Sequence, residues 1–154
     1  MRQKLSDIET RAWIGFVKSQ QSVLNKVDKD FKASGFPPLS WYDLLLELEK
    51  AKGGRLRQKE LGELILLSKY NVSRLLDRLE KQGLIKREPC EEDTRGVFAV
   101  ITPKGKKLRI KMWPVYYESI KENFLSKFSK NELKQIVEFN KRLVKLIISR
   151  FHEH

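Results

Sequence analysis

The apolar residues of this chain change their spacing twice, and few folds accommodate that order. Up to Gly83 they recur about every 3.6 residues, which predicts amphipathic helices. Residues 84–88 and the β-branched and aromatic run 97–101 instead predict two strands joined as a hairpin. The helical spacing returns after Thr102-Pro103, a pair typical of a helix start. The expected fold class is therefore mainly α with a small β-hairpin.

Four helices are expected before the hairpin. The first covers about residues 7–32 and begins with a serine–glutamate capping box. At about 1.5 Å per residue it would be roughly 39 Å long, which suggests a packing or dimerisation element. The second is expected to begin with Ser40 as its cap, and the third to cover about residues 57–66. The fourth is expected to begin with Ser68 as its cap and to end just before Gly83.

The connection within the hairpin and the two helices after it are also predicted from the pattern of residue types. Residues 89–96 are polar and are expected to form the connection between the two strands. A long helix is expected from Thr102-Pro103, and Pro114 within it is expected to introduce a kink. A second capping box, which begins at Ser129, predicts a last helix whose apolar residues continue to Phe151.

The net charge of the chain narrows the choice of partner. Its 154 residues include 32 Lys and Arg against 20 Asp and Glu, a formal net charge of +12. This favours a nucleic acid as the partner and, second, an anionic membrane surface. The charge is uneven: residues 1–40 carry +3, residues 41–102 carry +1 and residues 103–154 carry +8. If the middle segment binds DNA, its basic side chains must therefore lie on the side that faces DNA and its acidic side chains elsewhere.

Other classes of protein are disfavoured. No apolar run approaches the roughly 18 residues of a membrane-spanning helix, and the first residues lack the apolar core of a signal peptide, so a cytoplasmic protein is expected. The single cysteine, Cys90, excludes an internal disulfide and a cysteine-rich zinc site. The two histidines, His152 and His154, have no apparent nucleophile partner, and no Gly-rich phosphate loop occurs. We therefore expect no enzyme, no cofactor and no metal.

The fourth helix is the expected DNA reader. Three helices followed by a two-stranded hairpin are the order of a winged helix-turn-helix, in which one helix enters the major groove. The apolar residues at positions 72, 75, 76 and 79 would face the core and leave hydrogen-bonding side chains outside. An ordinary exposed helix face is polar too, and it is the order of elements that favours DNA. The expected DNA-binding residues of this segment are Ser68, Lys69, Tyr70, Asn71, Ser73, Arg74 and Arg78.

The polar connection of the hairpin contains a further DNA-binding candidate. Arg95 stands beside three carboxylates, and arginine is favoured in a narrow minor groove. Because free carboxylates would repel phosphate, Asp93 is expected to support the wing by holding Arg95 or by capping the turn. The alternative is that the two residues only stabilise a turn. Lys104, which follows the hairpin, is expected to contact a phosphate.

Residues 72–87, 93–97 and 101–105 together resemble the MarR family of bacterial transcriptional regulators. The motifs are a recognition helix ending in Leu-Glu-Lys-Gln-Gly-Leu, the wing sequence Asp-Thr-Arg, and Thr-Pro-Lys-Gly at the next helix start. Their combination is specific, and in helix order and length the resemblance covers nearly the whole chain. Thr94 and Ile101 depart from residues common in the family, and neither affects the expected fold.

The resemblance implies one domain over residues 1–154, with a winged helix-turn-helix core at 40–102 and dimerisation helices at 1–39 and 103–154. It implies a homodimer on a pseudo-palindromic double-stranded operator, with recognition helices roughly 34–36 Å apart. The implied function is that of a ligand-responsive repressor. Two alternatives stay open: the terminal helices could add core to a monomer, or residues 103–154 could dock a basic helical protein on an anionic membrane or a protein partner.

The resemblance also suggests a small-molecule site, often for aromatic acids or phenols, between the dimerisation helices and the winged core. All three tryptophans fall in segments expected to meet there. The alternative is that aromatic residues at helical spacing are ordinary core. The expected lining is Trp13, Phe16, Trp41, Trp113, Tyr116 and Tyr117, with Arg11 or Lys111 as the partner of an anionic ligand.

Overall fold

The computed structural model describes residues 2–66, 71–91 and 93–144, of which residues 93–95 are described by their backbone alone. Over these residues the fold is mainly helical with a small antiparallel sheet, which confirms the predicted class. The helices are α1 (Asp7–Ala33), α2 (Leu39–Lys50), α3 (Gln58–Leu64), α4 (Val72–Lys81), α5 (Pro103–Asn123) and α6 (Lys130–Leu143), and the strands are β1 (Arg55–Arg57), β2 (Ile85–Cys90) and β3 (Asp93–Ile101).

Three helices begin where local polar residues predict. Ser6 caps α1 and Ser129 caps α6, each in a capping box with the glutamate three residues later. Thr102 caps α5, and its hydroxyl accepts a hydrogen bond from the Gly105 amide at 3.1 Å. Each side chain satisfies a first-turn amide that has no partner within the helix.

Helix α2 begins differently. Its N-cap is Pro38, which has no side-chain acceptor, so the prediction of Ser40 as the cap is wrong. The carboxylate of Asp28 on α1 accepts a hydrogen bond from the Leu39 amide at 2.8 Å instead. This acceptor lies eleven residues away in the sequence, and a search for local capping residues therefore misses it.

The segment between α2 and α3 contains a strand that the sequence did not predict. In β1, Arg55 lies opposite Val100 and Arg57 opposite Phe98 of β3, which gives the strand order β1-β3-β2. Three residues are too few to show an alternating pattern. The predicted helix over residues 57–66 is accordingly too long, because α3 ends at Leu64.

Strands β2 and β3 form the predicted hairpin, but they are longer than expected. They extend to Cys90 and from Asp93, so the prediction of residues 89–96 as an irregular connection is wrong. The register shifts between Pro89 and Cys90. Strand β2 is at the edge of the sheet, where the missing amide hydrogen of a proline is tolerated.

The core has two parts, and α2 contributes to both. One cluster fills the winged unit made of α2, α3, α4 and the sheet, and includes the fully buried Leu45 and Leu76. The other joins α1, α2 and α5 around Phe31 and Met112. Because α2 is buried along almost its whole length, it fixes the winged unit to the two long helices.

Helix α5 connects the two parts of the molecule. It continues through Pro114 as one helix. At its start Gly105 lies so close to the winged unit that an added Cβ would be 2.3 Å from the Leu84 carbonyl oxygen. Near its end the Ser119 hydroxyl is 2.6 Å from the carboxylate of Asp30 on α1.

The last described helix, α6, ends at Leu143, and the following Val144 has extended backbone. The predicted continuation to Phe151 lies outside the described residues. Of the helices described, none is both long enough and apolar enough to cross a membrane.

Candidate nucleic-acid interface

Helix α4 has one apolar face and one polar face, as the sequence predicts. Its three leucines, at positions 75, 76 and 79, are buried in the winged core. Ser73, Arg74 and Arg78 are exposed on the opposite side. These three are therefore placed to meet a ligand that approaches α4 from solvent.

The start of α4 differs from the prediction. Asn71 has extended backbone and is the N-cap, and its side-chain oxygen accepts a hydrogen bond from the Arg74 amide at 3.1 Å. The prediction that the helix begins with Ser68 as its cap is therefore wrong. Three of the predicted DNA-binding residues, Ser68, Lys69 and Tyr70, lie outside the described residues. One lone pair of the Asn71 oxygen is used within the helix, and its NH2 group stays free of that contact and can donate to DNA.

A cleft of about 330 Å³ lies beside the polar face of α4. Arg74 and Arg78 line it on the side of α4, and Asp28 and Trp41 line it on the side of α1 and α2. Among the residues that the structure describes, neither arginine has an ion-pair partner. Arg74 lies in the first turn of α4, where its charge adds to the positive end of the helix dipole. Arg78 adds a second exposed cation one turn further along, so this side of the winged unit favours anions.

Strand β2 holds α4 through polar contacts. The Arg87 amide donates a hydrogen bond to the Glu80 carboxylate at 2.9 Å. The guanidinium Nη2 of Arg87 donates to the Ser73 carbonyl at 3.2 Å and forms an ion pair with Asp77. These contacts direct both acidic side chains toward β2. No local sequence pattern indicates this role of Arg87, because its partners precede it by 7 to 14 residues.

Helix α5 holds the other end of α4. The Thr102 hydroxyl donates to the Gly83 carbonyl, and the Lys104 Nζ donates to the Gln82 carbonyl, both at 2.7 Å. A cation at a helix C-terminus is stabilised by the helix dipole. Lys104, predicted to contact phosphate, therefore has a structural partner in the protein, and its phosphate contact stays a prediction.

The two wing residues singled out by the sequence belong to a strand. Asp93 and Arg95 both lie in β3, of which Asp93 is the first residue. The side chains of residues 93–95 are outside the described part of the chain. The minor-groove contact of Arg95 and the supporting role of Asp93 therefore stay predictions.

The structure brings three of the six predicted ligand-site aromatics together. On α5 the Trp113 ring centroid is 6.0 Å from that of Tyr116 and 5.8 Å from that of Tyr117. Trp41 packs instead against the core of the winged unit. Tyr42, which was not among the predicted residues, is buried with its ring centroid 5.0 Å from that of Tyr116.

A cavity of about 80 Å³ lies among these aromatics, between α2, α5 and the end of α3. The buried carboxylate of Asp43 borders it and accepts a hydrogen bond from the Leu66 amide. Burial raises the pKa of Tyr42 and that of Tyr116, so both phenols are neutral at physiological pH. The lining residues are Leu39, Tyr42, Asp43, Leu46, Leu66, Trp113, Tyr116 and Ile120.

The two cations predicted to pair with an anionic ligand do not border this cavity. Arg11 is exposed on α1, where it forms an ion pair with Asp7 at 2.9 Å. Lys111 is exposed on α5. The charged group at the cavity wall is instead the carboxylate of Asp43.

Two helices carry apolar side chains that no residue in the described part of the chain covers. On the first half of α1, Trp13 is 62% exposed and Phe16 is 48% exposed, with their ring centroids 6.4 Å apart. Neither joins the aromatics around Trp113. Helix α6 has no buried residue, and its Phe139 is 52% exposed. Large apolar groups left in water at this density are typical of a protein interface.

Comparison with known proteins identifies the family. The MarR family profile matches residues 34–96. The HTH-type transcriptional regulator YkoM of Bacillus subtilis is 32% identical over 122 residues, which are 79% of this chain and 77% of YkoM. The transcriptional repressor MprA of Escherichia coli K12 is 28% identical over 119 residues, 76% of this chain and 67% of MprA.

A solved structure agrees with these relatives. The MarR family regulator Sco3205 of Streptomyces coelicolor, solved in complex with DNA, has a TM-score of 0.82 and 25% identity. The match covers 93% of this chain and 89% of Sco3205. These comparisons lend no support to the alternative of a basic helical protein that docks on a membrane or a protein partner. The chain belongs to the MarR family of transcriptional regulators.

Proposed function

We propose that this protein is a homodimeric repressor that reads a pseudo-palindromic DNA operator with α4 and the hairpin. The observation that carries the proposal is the outward face of α4, where Arg74 and Arg78 are exposed and unpaired within the described residues. Arginine binds both guanine edges and phosphates, and a helix of this size fits the major groove. Sco3205 has been solved in complex with DNA, which supports DNA binding. MprA is named a transcriptional repressor, which supports repression.

The homodimer is supported by the uncovered faces of α1 and α6. A second copy of the chain would present the same faces, so that the two could bury each other about a twofold axis. Two copies of α4 would then meet two half-sites, which accounts for the twofold symmetry of the expected operator.

The experiment is selection of bound fragments from random DNA, followed by binding measurements on the selected sequence. We expect an inverted repeat with half-sites about one helical turn apart, roughly 34–36 Å. Arg74→Ala should weaken binding and relax the preference at one base position by about 1–3 kcal/mol. Arg95→Ala should weaken binding through the minor groove.

The control is Lys121→Ala, which removes one exposed positive charge from the far end of α5. It should retain the ratio of specific to non-specific affinity. Selection without an enriched motif, or wild-type binding by both arginine variants, would exclude this mode of recognition.

We also propose that a small neutral phenol releases the DNA by entering the cavity beside Trp113. A phenol hydroxyl can donate to the Asp43 carboxylate, whereas a carboxylate ligand would be repelled by it. An aromatic ring needs a cavity of about 150 Å³, so the ring enters only if a wall residue moves. Leu66 is the exposed wall residue, and the chain leads from it to α4, so its displacement would disturb the reading helix.

The test is titration of the protein–operator complex with simple phenols and with the corresponding benzoates. Phenols should release DNA from the wild type and benzoates should not. Trp113→Ala should abolish the phenol response while operator affinity stays measurable. An equal response of the variant to phenol, or release by benzoate alone, would contradict the proposed site.

A further inference from the structure

We infer that Arg87 is a positioning residue for DNA reading, which fixes the orientation of α4 against the hairpin without contacting DNA itself. The inference rests on the proposed function and adds to it a residue outside the DNA-facing surface. Its consequence is that the accuracy of base reading depends on a contact between β2 and α4.

The contacts of Arg87 extend along most of α4. Its guanidinium reaches the Ser73 carbonyl in the first turn and Asp77 in the second. Its backbone amide reaches Glu80 in the third turn. Glu80 is seven positions after Ser73, which is about 10 Å along the helix axis. A strand bonded to a helix over that length resists both rotation and sliding of the helix.

The guanidinium of Arg87 is committed to the protein. The side chain is only 26% exposed, against 62% for Asp77. Nη2 makes both of the contacts to α4. Nε is shielded from solvent, with no hydrogen-bond partner among the residues described. A group held in this way is poorly placed to contact a phosphate.

Arg87 also balances a charge on the DNA-reading helix. Asp77 is an exposed carboxylate on α4, and without a cation beside it this group would repel phosphate. Adjacent strand residues point to opposite faces of a sheet, so the neighbouring Lys86 lies on the other face from Arg87. Lys86 is exposed, which makes it a control of equal charge at almost the same position.

Loss of Arg87 should affect specific binding more than non-specific binding. Base edges must be met with good hydrogen-bond geometry, whereas non-specific affinity comes from the general field of cations on phosphates. If α4 can move against the hairpin, its hydrogen bonds to base edges are weakened, whereas most of the attraction between its cations and the phosphates is kept.

The experiment compares Arg87→Gln with Lys86→Gln, which remove the same charge. Affinities are measured for the selected operator and for unrelated DNA at several salt concentrations. Arg87→Gln should lower the ratio of operator to unrelated-DNA affinity about tenfold, and Lys86→Gln should leave the ratio unchanged. The slope of log affinity against log salt should be the same for Arg87→Gln and wild type, whereas loss of a phosphate contact would reduce it by about 0.9.

Asp77→Asn separates positioning from charge. It adds one positive charge to the α4 surface, so electrostatics alone would tighten binding to all DNA. Loss of positioning would instead lower the specificity ratio. Because Asp77 is exposed, this variant tests the inference even if Arg87→Gln proves unstable, and thermal unfolding followed by circular dichroism reports on both.

An unchanged ratio in both Arg87→Gln and Asp77→Asn would overturn the inference, as would a salt slope for Arg87→Gln reduced by about 0.9, the value for one phosphate contact. If the wild type prefers no DNA sequence, the proposed function itself fails. If the wild type binds DNA sequence-specifically and both variants are equally specific, the role of Arg87 is refuted and the proposed function stands.

Discussion

At the scale of single residues, Gly105 has no space for a side chain. An added Cβ would lie 2.3 Å from the Leu84 carbonyl oxygen, 3.0 Å from Ile101 and 3.2 Å from Leu45. The first of these contacts is with backbone, which cannot move aside as the end of a flexible side chain can. The glycine of the Thr-Pro-Lys-Gly motif is therefore required by the close approach of α5 to the winged unit.

We predict that Gly105→Ala destabilises the protein by about 2–3 kcal/mol, although alanine is favoured over glycine in a helix by about 1 kcal/mol. Gly62→Ala in α3 is the control, because among the described residues its Cβ would have no neighbour closer than 3.8 Å. That variant should be neutral or up to about 1 kcal/mol more stable. Urea unfolding monitored by circular dichroism measures both, and equal stability of the two variants would contradict the steric account.

Tyr116 gives the protein a predictable response to alkali. Unfolded tyrosine loses its proton near pH 10, whereas burial raises the pKa of Tyr116 in the folded protein. Above about pH 10 the folded state therefore binds more protons than the unfolded state, and stability falls as pH rises. Tyr116→Phe should reduce this fall between about pH 10 and 11 and differ from wild type by a constant amount below about pH 9. Chemical unfolding across this range checks it, and an unchanged slope would argue against the buried phenol as its cause.

At the scale of elements, the start of α4 depends on one side chain. The Asn71 oxygen accepts the hydrogen bond of the Arg74 amide. Asn71→Ala should cost about 1 kcal/mol of stability, whereas Asn71→Ser, which keeps an acceptor, should cost much less. Urea unfolding of the two variants measures the difference. Equal losses would show that the side-chain cap does not stabilise α4.

The sequence predicted the helices whose starting signals are local. Ser6, Ser129 and Thr102 each accept a hydrogen bond from an amide three residues later, so a short pattern is sufficient. The cap of α2 comes from Asp28, and β1 exists only because it pairs with β3. Both require contacts between distant residues, which no local pattern reports.

The residues of the candidate site also fall into two groups, those that a local pattern predicts and those that only the tertiary fold brings together. The exposed side of α4 follows from the 3.6-residue spacing of its buried leucines, so Arg74 and Arg78 were predictable. Arg87 and Asp43 were not, since their partners become neighbours only through the tertiary fold. The predicted aromatics do not all meet within one chain, because Trp13, on a long helix, lies beyond the core that Trp113 joins; their role in ligand binding stays a prediction.

At the scale of the whole molecule, the uncovered faces of α1 and α6 predict a dimer that can be separated by mutation. Phe139→Glu places a charge on an exposed apolar face of α6 without disturbing a buried residue. We expect this variant to be largely monomeric by sedimentation at concentrations where the wild type is a dimer, because an unpaired charge would have to be buried.

Lys134→Glu, on an exposed and polar position of α6, is the control and should leave the dimer intact. Circular dichroism should show that the Phe139→Glu variant keeps its helices, since none of the core residues is altered. A wild-type protein that sediments as a monomer would refute the dimer outright, and a dimeric Phe139→Glu variant would remove α6 from the interface.

Because α5 is one helix, a tilt at its contact with α1 displaces α4 at its other end, and this would change the distance between the two half-sites that the proposed dimer reads. About 22 Å of the α5 axis separates Lys104, which donates to the carbonyl of Gln82 at the end of α4, from Ser119, which contacts Asp30 on α1. A tilt of about 10° at the α1 end would carry the other end through about 4 Å, whereas adjacent base pairs are about 3.4 Å apart. In the proposed dimer, a small change of angle between the two protomers would therefore be enough to move each α4 by about one base pair.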